Sequence, residues 1–138
     1  MAASSKNYRT SVNMQVLIDA DTRLVVAVGQ PTPGNHNDCT AWTEPTINQA
    51  ANHATVLADG GLPGHRPAHP HRRKAGQVRL RSWKEHHNTA YRRVRARVEH
   101  TLAAMKCPTI LRDCRRKGHW VYWSTAGVAH LHNLALTG

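Results

Sequence analysis

The chain has 138 residues and a formal net charge of +11, and 40% of its residues are apolar. This composition supports one modest core, so it excludes both a disordered tail and a set of several large domains. No run of about 18 apolar residues and no apolar signal core after Met1 occur, so we expect an intracellular chain without a membrane partner.

The positive charge is concentrated in one segment. Sixteen of the nineteen Lys and Arg residues lie between His65 and Lys117 together with only three acids, which gives this segment a net charge of +13. A basic residue that neutralises a phosphate releases condensed counterions, so this segment predicts a polyanionic partner, with nucleic acid first. An anionic membrane surface is less suitable, because the basic segments lack a face of large apolar residues.

The first part of the chain predicts a β-hairpin. Alternating apolar residues over 11–18 and a β-branched run over 24–28 are typical of strands, and the polar residues 19–22 between them are typical of a turn. A loop rich in Pro, Gly and Asn follows over 31–37. Asp38 is then placed to cap a helix that begins near Cys39.

The middle of the chain predicts a buried strand and a basic insert. The apolar run 55–59 ends at an acid followed by two glycines, a pattern typical of a buried strand whose carboxyl end opens at a loop. In open α/β sheets that edge is where ligands bind. Residues 60–87 have no clean period and many basic residues, so we expect an irregular basic insert there.

Two amphipathic helices are predicted in the remainder of the chain. The first runs from about Asn88 to Cys107, where Pro108 ends it. Its apolar stripe consists of Tyr91, Val94, Val98, Leu102 and Met105. The second runs from about Trp120 to Leu136. Its apolar face is expected to consist of Trp120, Trp123, Val128, Leu131 and Leu134.

Asp59 and Glu99 are the acids with the strongest claim to chemistry. Asp59 ends the predicted strand, and Glu99 lies about 100° around the first helix from its apolar stripe. Carboxylates on a strand end and a facing helix can hold hard divalent cations, which clamp phosphodiester oxygens. Two other interpretations stay open: Asp59 as a turn residue before two glycines, and Glu99 as an acid neutralised by neighbouring arginines.

Four segments together carry a resemblance to a known family. They are Lys6–Val16, Pro33–Asp38, Leu57–Gly61 and Arg97–Glu99. In order and spacing they resemble the catalytic domain of DDE-type transposases of bacterial insertion sequences, over nearly the whole chain.

The resemblance implies a fold and an activity. The fold is a ribonuclease H-like α/β mixed sheet with helices on both faces, formed by residues 1–138. The activity is two-metal cutting and strand transfer of DNA at transposon ends, with Mg²⁺ or Mn²⁺ as cofactor. Such an enzyme would be cytoplasmic and associated with the nucleoid.

The resemblance also assigns roles to individual residues. Asp59 matches the second acid of the catalytic, metal-binding triad and Glu99 matches the third. Asp38 matches an acid with a structural or ligand-supporting role rather than a metal-binding one. The residues expected to bind DNA are Arg72, Arg73, Lys74, Arg92, Arg93, Arg95, Arg97 and Lys106.

One departure from the family pattern affects the expected activity. The first acid of the triad lies, in such enzymes, on a central strand upstream of the segment that matches Tyr8, and no acid precedes Asp19 in this sequence. The resemblance therefore implies a catalytic domain that lacks its first strand and first Asp, and that is inactive alone. The partners that stay open are a homo-oligomer and an upstream polypeptide that supplies the missing strand.

Two alternatives compete with the transposase interpretation. A non-catalytic basic nucleic-acid-binding module would use the same positive segment, with Trp and Tyr side chains available for base stacking. A zinc site at His65, His69 and His71, or at Cys114 and His119, lacks the paired short spacings of structural zinc sites, so we do not expect one.

Overall fold

The computed structural model describes residues 3–4, 10–34, 45–52, 54–57, 70–112 and 119–138. This part of the chain contains five strands and four helices. They are β1 (Ala3–Ser4), β2 (Thr10–Asn13), β3 (Val16–Ile18), β4 (Val25–Val28), β5 (Thr32–Pro33), α1 (Pro45–Ala50), α2 (Ser82–Lys106), α3 (Thr109–Arg112) and α4 (His119–Thr137). Two of the predicted site residues, Asp38 and Asp59, lie outside the described residues.

The predicted hairpin is confirmed. Strands β3 and β4 pair antiparallel, with a bulge between Leu17 and Ile18. Asp19 closes the turn, because its carboxylate accepts hydrogen bonds from the Asp21 N–H at 3.0 Å and from the Thr22 hydroxyl at 2.7 Å. These two bonds favour the ionised form, so they hold the pKa of Asp19 below its ordinary value.

The predicted strand over 11–18 is two strands. β2 pairs antiparallel with β1 and with β5, whereas β3 pairs with β4, and Met14 and Gln15 between them belong to neither strand. The chain changes pairing partner at this point, and the Gln15 carbonyl accepts a hydrogen bond from the Gly29 N–H at 2.8 Å. An alternating apolar pattern cannot show such a change, because both strands have the same period.

Helices pack on both faces of the β3–β4 hairpin. On one face, Leu17 and Ala27 pack against a buried cluster formed by Ile47 and Ala51 of the α1 region and by Val56. On the other face lies a second cluster, which brings α2 and α4 onto β4. Its buried members are Val25, Met105, Val128 and Ala129. The described residues therefore form a mixed α/β structure.

The predicted strand over 55–59 is not present in its described part. Residues 55–57 have no regular secondary structure. Val56 is 9% exposed because it packs into the cluster of Ile47 and Ala51. Contact with α1 accounts for the apolar character of this run, which the sequence analysis attributed to strand pairing.

Helix α2 begins at Ser82, six residues before the predicted start at Asn88. Residues 70–81 contain no helix or strand, and residues 82–87 belong to the helix. Glu85 in the first turn favours this start, since a negative charge there complements the helix dipole. The apolar period begins later than the helix because the first turns are mostly exposed and contact His71 through Trp83 and His87 rather than an apolar core.

Helix α4 matches its predicted bounds within one residue at each end, but its predicted apolar face is mostly wrong. The buried residues are Val121, Thr125, Val128 and Ala129. Trp120, Trp123, Leu131 and Leu134 are exposed, so of the predicted face only Val128 is buried. The helix is apolar on two sides. The prediction placed the larger side chains in the core, whereas the structure buries the smaller ones.

Asn133 connects α4 to β4 through two hydrogen bonds. Its side-chain oxygen accepts the Val25 N–H at 2.8 Å, and its side-chain amide donates to the Val25 carbonyl at 2.9 Å. Both bonds are partly buried, so they satisfy edge groups of β4 that the hairpin leaves unpaired. None of the helices in the described part of the chain combines the length and apolarity needed to cross a membrane.

Candidate nucleic-acid and metal site

Helix α2 presents Glu99 beside its apolar stripe. Tyr91 and Met105 of the stripe are buried, and the residues between them at Val94, Val98 and Leu102 are half-buried. Glu99 follows the stripe by one residue, about 100° of rotation, so its carboxylate leaves the helix at the edge of the packed face. This placement matches the prediction for the helix.

Glu99 forms an ion pair with Arg95 one turn earlier. The Nε atom of Arg95 lies 2.9 Å from Oε1 of Glu99, and the two side chains are 49% and 61% exposed. An exposed pair at this spacing contributes only about 0.3–0.5 kcal/mol. The pair can therefore open at small cost when a more strongly charged ligand approaches the carboxylate.

A pocket of about 150 Å³ is shared by Leu57 and by the side of α2 that carries Glu99. Its lining residues are Leu57, Tyr91, Val94, Arg95, Val98, Glu99 and Leu102. Leu57 and the stripe provide apolar walls, and Arg95 and Glu99 are the charged members. Because Asp59 lies outside the described residues, its meeting with Glu99 stays a prediction, as does the role of Asp38.

The predicted DNA-binding residues of α2 divide between two sides of the helix. Arg95 lies with Glu99, whereas Arg97, about 200° further round, faces the hairpin turn. Its guanidinium donates to the Ala20 carbonyl at 3.1 Å and lies 3.7 Å from the Asp21 carboxylate. All five of these basic side chains are exposed, namely Arg92, Arg93, Arg95, Arg97 and Lys106.

Asn88 holds the basic segment 70–74 against α2. The His71 N–H donates to the Asn88 side-chain oxygen at 2.7 Å, and the Asn88 amide donates to the His71 carbonyl at 2.9 Å. Arg72, Arg73 and Lys74 follow directly and are exposed. The two hydrogen bonds thus fix the backbone of His71 and place the three basic residues that follow it beside the helix.

A second pocket lies between this segment and α2. Its volume is about 590 Å³. The lining residues are Pro70, His71, Arg73, Leu80, Glu85, Asn88, Thr89 and Arg92. Arg73 comes from the segment and Arg92 from the helix, while Glu85 adds one negative charge, so the lining keeps a net positive charge that suits an anionic group.

Aromatic rings reinforce the docking of the segment. The His71 ring lies 5.2 Å from the Trp83 ring and 4.9 Å from the His87 ring, and the Lys84 ammonium lies 5.4 Å from the Trp83 ring. Burial, followed by the nearby His87 and Lys84, lowers the pKa of His71 below its ordinary value. The neutral form of His71 is therefore favoured in this position.

Sequence reasoning missed Asn88, His71 and Trp83 as parts of the site. Asn88 was interpreted only as the start of a helix, and His71 only as a candidate zinc ligand that was not expected to bind metal. A side chain that bonds to a distant backbone segment leaves no periodic signal in the sequence.

Among the described residues, no group of three or more His, Cys, Asp or Glu side chains could hold a metal ion.

Comparison with known proteins defines the class to which this basic α/β chain belongs. The family model "Transposase DDE domain" matches residues 2–130, so the chain belongs to the DDE transposase family. The sequence is 56% identical over 138 residues to a protein of Streptomyces albus G titled "Putative transposase for insertion sequence element IS112". That alignment covers 100% of this chain and 54% of the relative, so the chain spans about half of the relative's length. No solved structure matches significantly.

Proposed function

We propose that the chain contributes to the catalytic domain of a DNA transposase that cuts and joins DNA at transposon ends with two metal ions. The observation that carries the proposal is the pocket shared by Leu57 and Glu99. Two residues of chain span at most about 7 Å, so Asp59 is tethered within that distance of Leu57. This distance allows Asp59 to reach the pocket that Glu99 lines, and we propose that the two acids meet there.

The chemistry of Glu99 fits a hard divalent cation. Its carboxylate is mostly exposed, offers oxygen ligands, and forms an exposed ion pair with Arg95. We propose Asp59 and Glu99 as ligands of Mg²⁺ or Mn²⁺. The metal ions would supply electrostatic stabilisation of the attacking and leaving oxygens of the phosphodiester. The two carboxylates would fix the ions next to the basic surface that positions DNA.

The basic side chains are proposed to bind the DNA backbone. Arg92 and Arg95 lie on the side of α2 that carries Glu99, and Asn88 holds Arg72, Arg73 and Lys74 beside it. We propose Arg93, Arg97 and Lys106 as outer contacts. Arg97 would have to leave the hairpin turn to reach DNA, which its long Asp21 contact of 3.7 Å permits.

The ribonuclease H-like arrangement is part of the proposal. Helices on both faces of the β3–β4 hairpin are consistent with it. Asp38, which lies outside the described residues, is proposed to support the site. The chain spans about half of its relative's length, so we propose that these 138 residues do not cut DNA alone and that a further polypeptide segment completes the acidic site. Association with the nucleoid would follow from the affinity for DNA.

A basic nucleic-acid-binding module without catalysis is the second candidate. It is favoured by the Arg95–Glu99 ion pair, since an acid neutralised in this way needs no metal. The exposed Trp83 ring, 55% accessible, would then stack on a base. This candidate predicts DNA affinity that depends on salt and is indifferent to divalent metal.

Fluorescence anisotropy with a labelled DNA duplex separates the two candidates. At constant ionic strength, Mn²⁺ should raise the affinity of the unchanged protein, because bound metal adds positive charge at the phosphates. Asp59→Asn and Glu99→Gln should abolish the Mn²⁺ effect, while Glu85→Gln, a change on the same helix, should not. If the affinity for DNA does not change with Mn²⁺ in any of the four proteins, the result would support the basic module and overturn the metal proposal.

A plasmid assay tests the proposed inactivity of the chain alone. Supercoiled plasmid incubated with the purified chain and Mg²⁺ or Mn²⁺ should show no nicking above that seen with Asp59→Ala. Nicking that disappears in Asp59→Ala would establish the transposase chemistry and show that no further acid is required.

A further inference from the structure

Helix α4 carries an exposed stripe of large apolar side chains on the side away from the core. Trp120 is 65% exposed, Trp123 63%, Leu131 65% and Leu134 51%. The opposite side of the helix is buried through Val121, Thr125, Val128 and Ala129. A helix with apolar side chains on both sides is normally covered on both. The stripe is therefore a candidate interaction surface.

The stripe is symmetric about Gly127. Trp123 and Leu131 lie four residues to either side of this glycine, and Trp120 and Leu134 lie seven residues to either side. At about 100° per residue the five positions fall within roughly 80° of one another around the helix. A Cβ atom built on Gly127 would meet nothing within 4 Å, so there is open space above the backbone in the middle of the stripe.

This symmetry suits a second copy of the same helix. A twofold interface must be self-complementary, so that each patch contacts the same patch of the other copy. In an antiparallel pair that crosses at Gly127, Trp120 would face the partner's Leu134. Trp123 would likewise face the partner's Leu131. Each large ring would then lie against a smaller side chain, and the glycines would let the two backbones approach closely.

The charge distribution favours the same occupant. Residues 119–137 contain no Lys, Arg, Asp or Glu, although the chain carries a net charge of +11. Two copies that met through their basic surfaces would repel one another. The stripe of α4 is a neutral face through which they can associate without bringing formal charges into contact.

We propose that this stripe is the interface of a homodimer formed by antiparallel packing of α4 against α4 of a second copy. Fully exposed, a tryptophan presents up to about 250 Å² and a leucine somewhat less, so the four side chains expose roughly 500 Å² per copy. Two copies would bury about 1,000 Å², the lower limit of a specific interface. The dimer should therefore be of moderate affinity and concentration-dependent.

Sedimentation equilibrium of the nuclease-treated 138-residue chain in 0.3 M salt tests the proposal. A monomer–dimer equilibrium in the micromolar range is expected. Raising the salt should strengthen the dimer, since screening reduces repulsion between the two basic copies. A protein that stays monomeric up to about 100 µM would overturn the proposal and leave the stripe to some other partner.

Substitutions of Gly127 and Val78 separate assembly from folding. Gly127→Leu should weaken the dimer at least tenfold with unchanged helical circular dichroism, because the added side chain has open space in the monomer and none at the crossing point. Val78→Glu is the matched control: Val78 is 84% exposed and lies outside the stripe, so dimerisation should be unaffected. Equal dimerisation by Gly127→Leu and unchanged protein would overturn the proposed crossing.

A mixing experiment tests the antiparallel register. Trp123→Glu and Leu131→Lys should each be monomeric, since each would place one charge in each of the two apolar contacts between positions 123 and 131. An equimolar mixture should recover a heterodimer, in which one pair of opposed positions becomes an ion pair and the other keeps its apolar contact. Failure of the mixture to associate would overturn the register. No step of this test uses DNA or metal, so its outcome is separate from that of the proposed function.

Discussion

Leu57 and Glu99 line the same small pocket, although 42 positions separate them in the sequence. Leu57 reaches the pocket from the segment that packs on α1, and Glu99 reaches it from the middle of α2. This relationship supports the proposed metal site, because Asp59 follows Leu57 by two residues. The proposed site would also account for an acid within the most basic stretch of the helix.

The Arg95–Glu99 ion pair should compete with metal. Arg95→Ala removes a positive charge from the carboxylate, so Mn²⁺ should bind up to about fivefold more tightly, in keeping with the small strength of an exposed pair. Arg97→Ala should leave Mn²⁺ affinity unchanged, because Arg97 faces the hairpin turn. Isothermal titration of Mn²⁺ into the three proteins measures the difference. Identical effects of the two substitutions would contradict the assignment of Arg95 to the site.

Asn133 should be important for the stability of the α/β core. Asn133→Ala leaves both partly buried peptide groups of Val25 without their partner, which should lower the free energy of unfolding by about 1–3 kcal/mol. Thr137→Ala removes only an exposed hydroxyl bond to the Asn133 carbonyl and should cost less than about 0.5 kcal/mol. Urea unfolding followed by circular dichroism compares them. Equal midpoints would argue against the docking role of Asn133.

Docking of the basic segment should depend on pH through His71. The pKa of His71 is lowered in the folded protein, so protonation opposes docking. The docked state should be unaffected by pH above about 6.5, the ordinary value for histidine, and should weaken as the pH falls below it. Hydrogen exchange at the His71 amide, which Asn88 protects, should accelerate in that range beyond the intrinsic effect of pH. In Asn88→Ala it should be fast at every pH.

Asp19 and Asp21 should contribute differently to the hairpin. Asp19→Asn weakens the two bonds that close the turn, so it should lower the unfolding midpoint. Asp21→Asn should have little effect, since its side chain is 95% exposed and 3.7 Å from Arg97. The lowered pKa of Asp19 means that its contribution is complete above its ordinary pKa and is lost as the pH falls through the lowered value. A midpoint of Asp19→Asn equal to that of the unchanged protein would contradict this.

The sequence predicted elements whose signal is local. The hairpin turn is specified by Asp19 and Thr22, so its position was found, and α4, which contains no proline, was found within one residue at each end. The resemblance to DDE transposases was also confirmed. Short motifs in a fixed order can be recognised in a sequence without knowledge of the contacts between distant residues. These predictions depend on neighbours within a few residues.

Contacts between distant segments were not predictable in the same way. The run 55–57 is apolar because Val56 packs on α1, and the first turns of α2 are stabilised by contact with His71. The face of α4 was assigned by side-chain size, whereas the structure buries its smaller residues. In each case the partner that decides the outcome is remote in sequence, so periodicity alone could not identify it.

The most direct test of the central claim is a Mn²⁺ titration followed by electron paramagnetic resonance. Free Mn²⁺ gives a sharp signal that broadens on binding, so the unchanged protein should deplete it. Asp59→Asn and Glu99→Gln should each weaken binding at least tenfold, while Glu85→Gln should not. Binding that survives both substitutions, or that is equally weak in all four proteins, would contradict a metal site shared by Asp59 and Glu99.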